Sequence, residues 1–243
     1  MSAVLTAQGL QKSFGAVRAA ADISLTFDPD TVVSLIGANG AGKTTFLNIV
    51  TGYLRPDSGQ ILFGERDIVG FSPRRITKLG ISRSFQIPQL FNSLSVRENL
   101  LVAESIAATD DPQAATDKAL TRFELAPYAA QKAGLLPEGI RKLLDVAMAL
   151  SSRSKLLLLD EPTSGVSADE KFAIMDVVMG AAHAAGVTVI FVEHDMDIVA
   201  RFAGRVVAFY DGGIIADGSP DTVLRAENVR RYVIGEEIPH AAA

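Results

Sequence analysis

The 243-residue chain contains no cysteine. That excludes a disulfide framework, a thiolate zinc site and a cysteine nucleophile, and it fits a reducing compartment. Positive charge is not in excess either, since 23 Lys and Arg stand against 28 Asp and Glu for a formal net charge of −5. A mildly acidic chain does not wrap nucleic acid by bulk electrostatics, and no nucleic acid is expected as a partner. No apolar run is long enough to span a bilayer, because the longest uncharged stretch, residues 177–192, is broken by Gly180, His183 and Gly186. Residues 1–9 lack the basic patch and apolar block of a signal peptide. What is present is ordinary for a folded globular protein: 48% apolar and 21% charged residues. The mean hydropathy of +0.25 is high for a freely soluble chain. It points to surface reserved for partner subunits, or to an alanine-rich, well-packed core.

Apolar runs of strand length lie at residues 4–10, 23–27, 32–36, 156–159, 187–192 and 206–210, the third apolar almost throughout, as in a buried sheet. Helical stretches are expected at 43–50 and 169–185, the latter ending near Gly186. Strands alternating with helices indicate a mostly parallel α/β sheet. From about residue 96 to 152 the chain is rich in helix formers, with almost no β-branched alternation, and reads as a helical lobe inserted into that core. The Ala241–Ala243 tail is expected to fray.

Gly37-Ala38-Asn39-Gly40-Ala41-Gly42-Lys43-Thr44 matches G-x-x-x-x-G-K-[ST], directly after a buried strand and before a helix. The glycines let consecutive backbone N–H groups curl around phosphates, the helix N-terminus adds positive potential, and Lys43 reaches the β- and γ-phosphates. The Thr44 hydroxyl suits Mg²⁺, which keeps few protein ligands and several waters. Thr45 follows within the same phosphate site. A second motif, Leu156-Leu157-Leu158-Leu159-Asp160-Glu161, puts two carboxylates at the carboxyl end of a buried strand, where α/β proteins bind ligands. Asp160 can hold the metal through water, and Glu161 can polarise the water that attacks the γ-phosphate.

Followed by Pro162-Thr163-Ser164-Gly165, that pair resembles the Walker B motif and D-loop of ATP-binding-cassette (ABC) ATPases. Three further residues agree in order. Gln86, in Ser84-Phe85-Gln86, matches the Q-loop glutamine that touches Mg²⁺ and the attacking water. His194, in Glu193-His194-Asp195, matches the switch histidine that holds the γ-phosphate. Phe14 matches the aromatic position that stacks on adenine, with Val17 beside it. The likeness runs from about residue 4 to 235. It implies a P-loop (RecA-like) mostly parallel sheet core, an N-terminal antiparallel β part and an inserted α-helical subdomain. The whole chain, 1–243, is then one nucleotide-binding domain, with an ATP-binding core at about 1–86 and 156–235 and the helical subdomain at about 87–155. ATP and Mg²⁺ are the implied cofactors. Glu161, His194, Gln86 and Lys43 are the implied catalytic residues, and Thr44, Gln86 and Asp160 the metal ligands.

The chain departs from the family at the signature, usually L-S-G-G-Q, where it reads Leu136-Pro137-Glu138-Gly139-Ile140. In the family this stretch binds the γ-phosphate held by the opposite subunit. Pro137 has neither hydroxyl nor N–H donor, Glu138 adds negative charge, and Gly139 is retained. Ser167 stands where the D-loop has aspartate. Either the chain pairs with a different ATPase subunit in an asymmetric dimer, or the helix N-terminus at this stretch suffices in a homodimer. The segments Arg83-Ser84-Phe85-Gln86, Leu90-Phe91 and Leu94-Ser95-Val96-Arg97-Glu98-Asn99 resemble the ATPase subunits of branched-chain amino acid importers. That branch implies two membrane permease subunits, a second ATPase subunit, an extracytoplasmic substrate-binding protein acting indirectly, and a peripheral place on the cytoplasmic face of the cell membrane. The apolar run 87–91 would meet the permease. A lipid or lipopolysaccharide exporter subunit, or an ABC ATPase without a membrane partner, are the alternatives. A GTPase would need N-K-x-D, which the sequence lacks.

Overall fold

The computed structural model describes residues 3–151 and 154–235, so the Ala241–Ala243 tail and the last residue of the expected helical lobe lie outside the described residues. In chain order the elements are β1 (Leu5–Phe14), β2 (Val17–Phe27), β3 (Val32–Gly37), α1 (Lys43–Val50), β4 (Ser58–Phe63), β5 (Arg66–Asp67), α2 (Pro73–Leu79), β6 (Ile81–Ser84), α3 (Val96–Ile106), α4 (Pro112–Arg122), α5 (Glu138–Leu150), β7 (Leu156–Asp160), α6 (Ala168–Ala184), β8 (Thr188–Val192), α7 (Met196–Phe202), β9 (Arg205–Tyr210), β10 (Gly213–Gly218) and α8 (Pro220–Arg225). They form two compact units, residues 1–72 with 192–243, and residues 73–191.

The first unit holds an antiparallel sheet of order β2-β1-β4-β5 and the strands β10-β9-β3, where β3 runs parallel to β9 and β10 antiparallel to it. Strand β3 is buried nearly throughout, as its unbroken apolar sequence demands of a parallel strand covered on both faces. Strand β1 outruns its expected end by four residues. Its polar end, Gln11 to Phe14, pairs with the start of β2 across a two-residue turn, with Phe14 opposite Val17 and Gly15 at φ +58°. Helix α1 sits on a core of three fully buried rings: Phe46 stands 6.1 Å from Phe27 of β2 and 6.1 Å from Phe209 of β9.

The second unit contains β8-β7-β6, with β6 parallel to β7, and the helices α2 to α6. Residues 96–150 carry no strand, as their composition indicates. Helix α3 starts at a reciprocal cap: Ser95 Oγ accepts from Glu98 N, and the Glu98 carboxylate accepts from Ser95 N at 2.7 Å. Helix α4 starts at Asp111 with Pro112 in its first turn. No helix among the described residues is long and apolar enough to cross a membrane.

Candidate functional site

In the first unit the Gly-rich segment leaves β3 at Gly37 and enters α1 at Lys43. Two glycines here are obligatory. A Cβ on Gly37 would lie 2.6 Å from the Phe209 carbonyl oxygen, and one on Gly42 2.5 Å from that of Ala19, at φ values of +154° and +109°. Gly42 is also the N-cap of α1 and supplies no side-chain cap; no acidic residue occupies the first turn. The opening amides of α1 therefore keep their donors for an anion. Lys43 is buried, and its Nζ donates to the carbonyls of Gly37 and Ala38, the latter at 3.0 Å. The ammonium is thus folded over the loop that it serves. Ala38, Asn39, Gly40 and Thr44 are exposed, Thr45 is half-buried, and Ala41 and Gly42 are buried.

The same unit carries Phe14 and Val17 at the tip of the β1–β2 hairpin. Phe14 is 53% exposed, with the Lys12 ammonium 5.6 Å from its ring centroid. A large aromatic side chain left so exposed is not core and is open to a planar ligand. His194 follows β8 and is exposed; its neighbour Glu193 is buried, and Asp195 caps α7 by accepting from Asp197 N at 3.1 Å. His183 is exposed on α6, and no role attaches to it; His240 lies outside the described residues.

In the second unit β6 and β7 run side by side, Ser84 opposite Leu159, so that Gln86 and the Asp160–Glu161 pair emerge at the same end. Gln86 Nε2 donates to Glu161 Oε2 at 2.8 Å. Glu161 adopts φ +51°, a conformation that non-glycine residues visit sparingly and that is concentrated at sites where a side chain must be aimed. Asp160 is buried, and its Oδ2 receives Arg83 Nη2 at 2.6 Å. The donors offered here are hard oxygens, the Asp160 carboxylate and the Gln86 amide carbonyl, a pair that fits Mg²⁺ with its remaining positions filled by water; the first unit separately exposes Thr44.

The signature stretch begins α5, with Pro137 as an N-cap lacking a side-chain bond. Pro137 and Glu138 are exposed. The charge of Glu138 is answered locally, because Arg141 Nε stands 3.7 Å from its Oε2. Gly139 packs against α6, where a Cβ would meet Ile174 Cδ1 at 2.7 Å. Ser167 caps α6 without a side-chain bond to the helix amides and instead donates to Glu170 at 2.7 Å.

Three residues to which the sequence assigns no role of their own belong to this region. Arg83 holds Asp160, Lys142 donates to the carbonyls of Glu161 at 2.9 Å and Gln86 at 3.3 Å, and Asp145 accepts from Phe85 N and Gln89 N. Their signal is visible in retrospect: Lys142 and Asp145 are charges set one turn apart in the otherwise apolar face of α5, and both are buried. Charged residues are almost never fully buried unless paired.

Residues 20–164 match the family model described as ABC transporter. The chain is 30% identical to the high-affinity branched-chain amino acid transport ATP-binding protein LivG of Escherichia coli strain K12, over 96% of its own length and 98% of that protein. It is 31% identical to the corresponding BraF of Pseudomonas aeruginosa, with the same coverage. Among solved structures, an ATP-binding cassette of an ABC transporter in its ADP conformation superposes with a TM-score of 0.86 at 30% identity, covering 97% of this chain and all of that one. The glycine cradle, the paired carboxylates and these full-length likenesses agree: the chain belongs to the ABC transporter family.

Proposed function

We propose that this chain is an ATP-hydrolysing subunit of an importer for branched-chain or other hydrophobic amino acids. Its ATP-driven closure against a second ATPase subunit works two membrane permeases at the cytoplasmic face. An extracytoplasmic binding protein delivers the cargo. The observation that carries the hydrolytic reading is the 2.8 Å bond from Gln86 to Glu161, with Glu161 aimed by a positive φ at the end of β7. The cargo class is supported by the likeness to LivG and BraF, whose names specify branched-chain amino acid transport.

In this reading Phe14 stacks on adenine with Val17 beside it. The amides of Asn39, Gly40, Ala41 and Gly42 and the hydroxyls of Thr44 and Thr45 receive the phosphates. Lys43 exchanges the carbonyls of Gly37 and Ala38 for phosphate oxygens, bringing a buried positive charge to the transferring group. Thr44, Asp160 and Gln86 would hold Mg²⁺, which would supply neutralisation of phosphate charge. The Glu161 carboxylate takes the proton of the attacking water, Gln86 orients both, and His194 steadies the γ-phosphate. The core, about 1–86 and 156–235, then serves the nucleotide, and the helical subdomain, about 87–155, serves the permease. The surface for that contact is a cleft of about 870 Å³ in the second unit, with Val102, Ala103, Ile106 and Phe91 among its apolar lining. Phe91 is 49% exposed and Ile87, close by in sequence, 74%, a ready seat for an apolar helix of a permease.

Pro137, Glu138 and Gly139 offer a partner's nucleotide only the amides and dipole of α5. This favours pairing with a second, non-identical ATPase subunit whose own signature completes the site of this chain. Sedimentation velocity of Glu161→Gln with Mg·ATP tests the pairing. The expected result is a nucleotide-bound monomer; an ATP-dependent homodimer would overturn asymmetric pairing and establish that the altered signature closes a site.

A further inference from the structure

The loop that carries Gln86 leaves β6 at Ser84 and is held from one side of α5. Asp145 Oδ2 accepts from Phe85 N at 3.2 Å, and Oδ1 accepts from Gln89 N at 2.9 Å. One carboxylate therefore spans the loop, with one bond on either side of Gln86. One turn earlier on α5, Lys142 Nζ donates to the Gln86 carbonyl at 3.3 Å and to the Glu161 carbonyl at 2.9 Å. The bond from the Gln86 side chain to Glu161 thus sits in a loop whose backbone is fixed at three points by two residues of one helix.

This arrangement is costly to build. Asp145 is only 7% exposed, and burial pushes its carboxyl from the ordinary 3.8 up to about 6, against the lowering effect of the two amide bonds and of Lys142. A raised value means that the folded chain holds this proton more tightly than the unfolded chain. The ionised form therefore lowers stability as pH rises from 3.8 to about 6, and at neutral pH the charge works against folding. A loop at the rim of an open cleft could satisfy the same two amides with water. What the carboxylate adds is fixed position.

We infer that Asp145 is a positioning residue for hydrolysis: from helix α5 it fixes the backbone at Phe85 and Gln89 so that the Gln86 carboxamide is held against Glu161. The inference rests on the reading of Gln86 and Glu161 as hydrolytic residues. Asp145→Asn keeps the size of the side chain and one acceptor oxygen, but turns an NH₂ group toward the second amide. That frees one end of the loop.

The test measures four things on the unmutated protein and on Asp145→Asn: kcat and KM for ATP in the transporter assembled with its second ATPase subunit, and, on the chain itself, the melting temperature and backbone amide exchange at Phe85 and Gln89. Both amides should be protected in the unmutated protein. In the variant, exchange at one or both should accelerate and kcat should fall about tenfold or more, the scale set by a misplaced catalytic group. KM should stay within about twofold, because uniform nucleotide binding is not touched. The melting temperature should hold, because removing a buried charge offsets the lost hydrogen bond. Unprotected amides at Phe85 and Gln89 in the unmutated protein would overturn the inference whatever the variant does. So would an unchanged kcat, or a kcat that falls only together with the melting temperature. If Glu161→Gln is inactive while Asp145→Asn is fully active, the role of Asp145 is lost and the hydrolytic reading stands.

Discussion

Glu161→Gln should lower ATP turnover by at least about a hundredfold, the span associated with loss of a general base, while ATP binding persists. The substitution is nearly isosteric and keeps an oxygen for Gln86 Nε2, which stands 2.8 Å from Glu161 Oε2. It leaves Lys142 on the Glu161 backbone carbonyl and Arg83 on Asp160. What it removes is the ability to take a proton from water. The neighbouring Asp160 does not substitute readily, because it is already engaged by Arg83 at 2.6 Å and is buried. Steady-state phosphate release by the transporter assembled with its second ATPase subunit, beside equilibrium nucleotide binding by the chain, separates the two effects. Loss of binding together with turnover would mean that the carboxylate holds the fold or the nucleotide rather than the water.

The second large effect is on folding, and it separates two glycines two residues apart. Gly42→Ala should destabilise by about 3 kcal/mol or more, in the range reserved for strain at a special backbone conformation combined with a clash. At φ +109° the new Cβ would lie 2.5 Å from the Ala19 carbonyl oxygen and 3.4 Å from Gly212 Cα, so that backbone blocks it on both sides. Relief requires moving the N-terminus of α1, which also spoils the amide cradle. Gly40→Ala, at φ +81° with nothing within 4 Å of its Cβ, meets only the left-handed penalty of about 1–2 kcal/mol. Urea unfolding of the two variants, read as midpoint at unchanged slope, measures the difference. Equal midpoints would show that the close approach to Ala19 does not exist in solution.

Much of the fold could be read from residues alone where apolar pattern and motif coincide. Strand β3 and helix α1 lie where they were expected to within a residue, because an unbroken buried run and a Gly-rich turn leave one solution. The four Leu residues before Asp160 likewise made β7 plain. Strand β6 was not legible. Ile-Ser-Arg-Ser reads as polar, yet Ser82 and Ser84 are each only 3% exposed, and Ser154 Oγ donates to Ser82 Oγ at 2.6 Å. A hydroxyl satisfied inside the core looks the same in sequence as one in water. The end of β1 was missed for a related reason, since its polar residues are held by pairing with β2 rather than by burial.

The site divides in the same way. Motif spacing points to the glycine cradle and the Asp160–Glu161 pair, the family resemblance to Gln86, and the exposure of Phe14 agrees with an aromatic set out for a ligand. Arg83, Lys142 and Asp145 could not be read, because each acts by reaching a backbone or carboxylate partner distant in sequence. Asp145 lies 56 residues from Gln89, and Arg83 lies 77 from Asp160. No local pattern encodes such a pairing. Only the buried charge on an apolar helix face hints that a partner exists.

The most direct measurement is calorimetric titration of the unmutated chain and of Lys43→Met with Mg·ATP. The unmutated chain should show saturable binding at one site. Lys43→Met should bind at least about tenfold more weakly, because a charge-assisted bond to phosphate worth about 1.5–3 kcal/mol is lost while the apolar stem stays in its buried place. Absence of saturable binding by the unmutated chain, or equal affinity in the variant, would contradict a nucleotide site built on the Gly37–Lys43 loop.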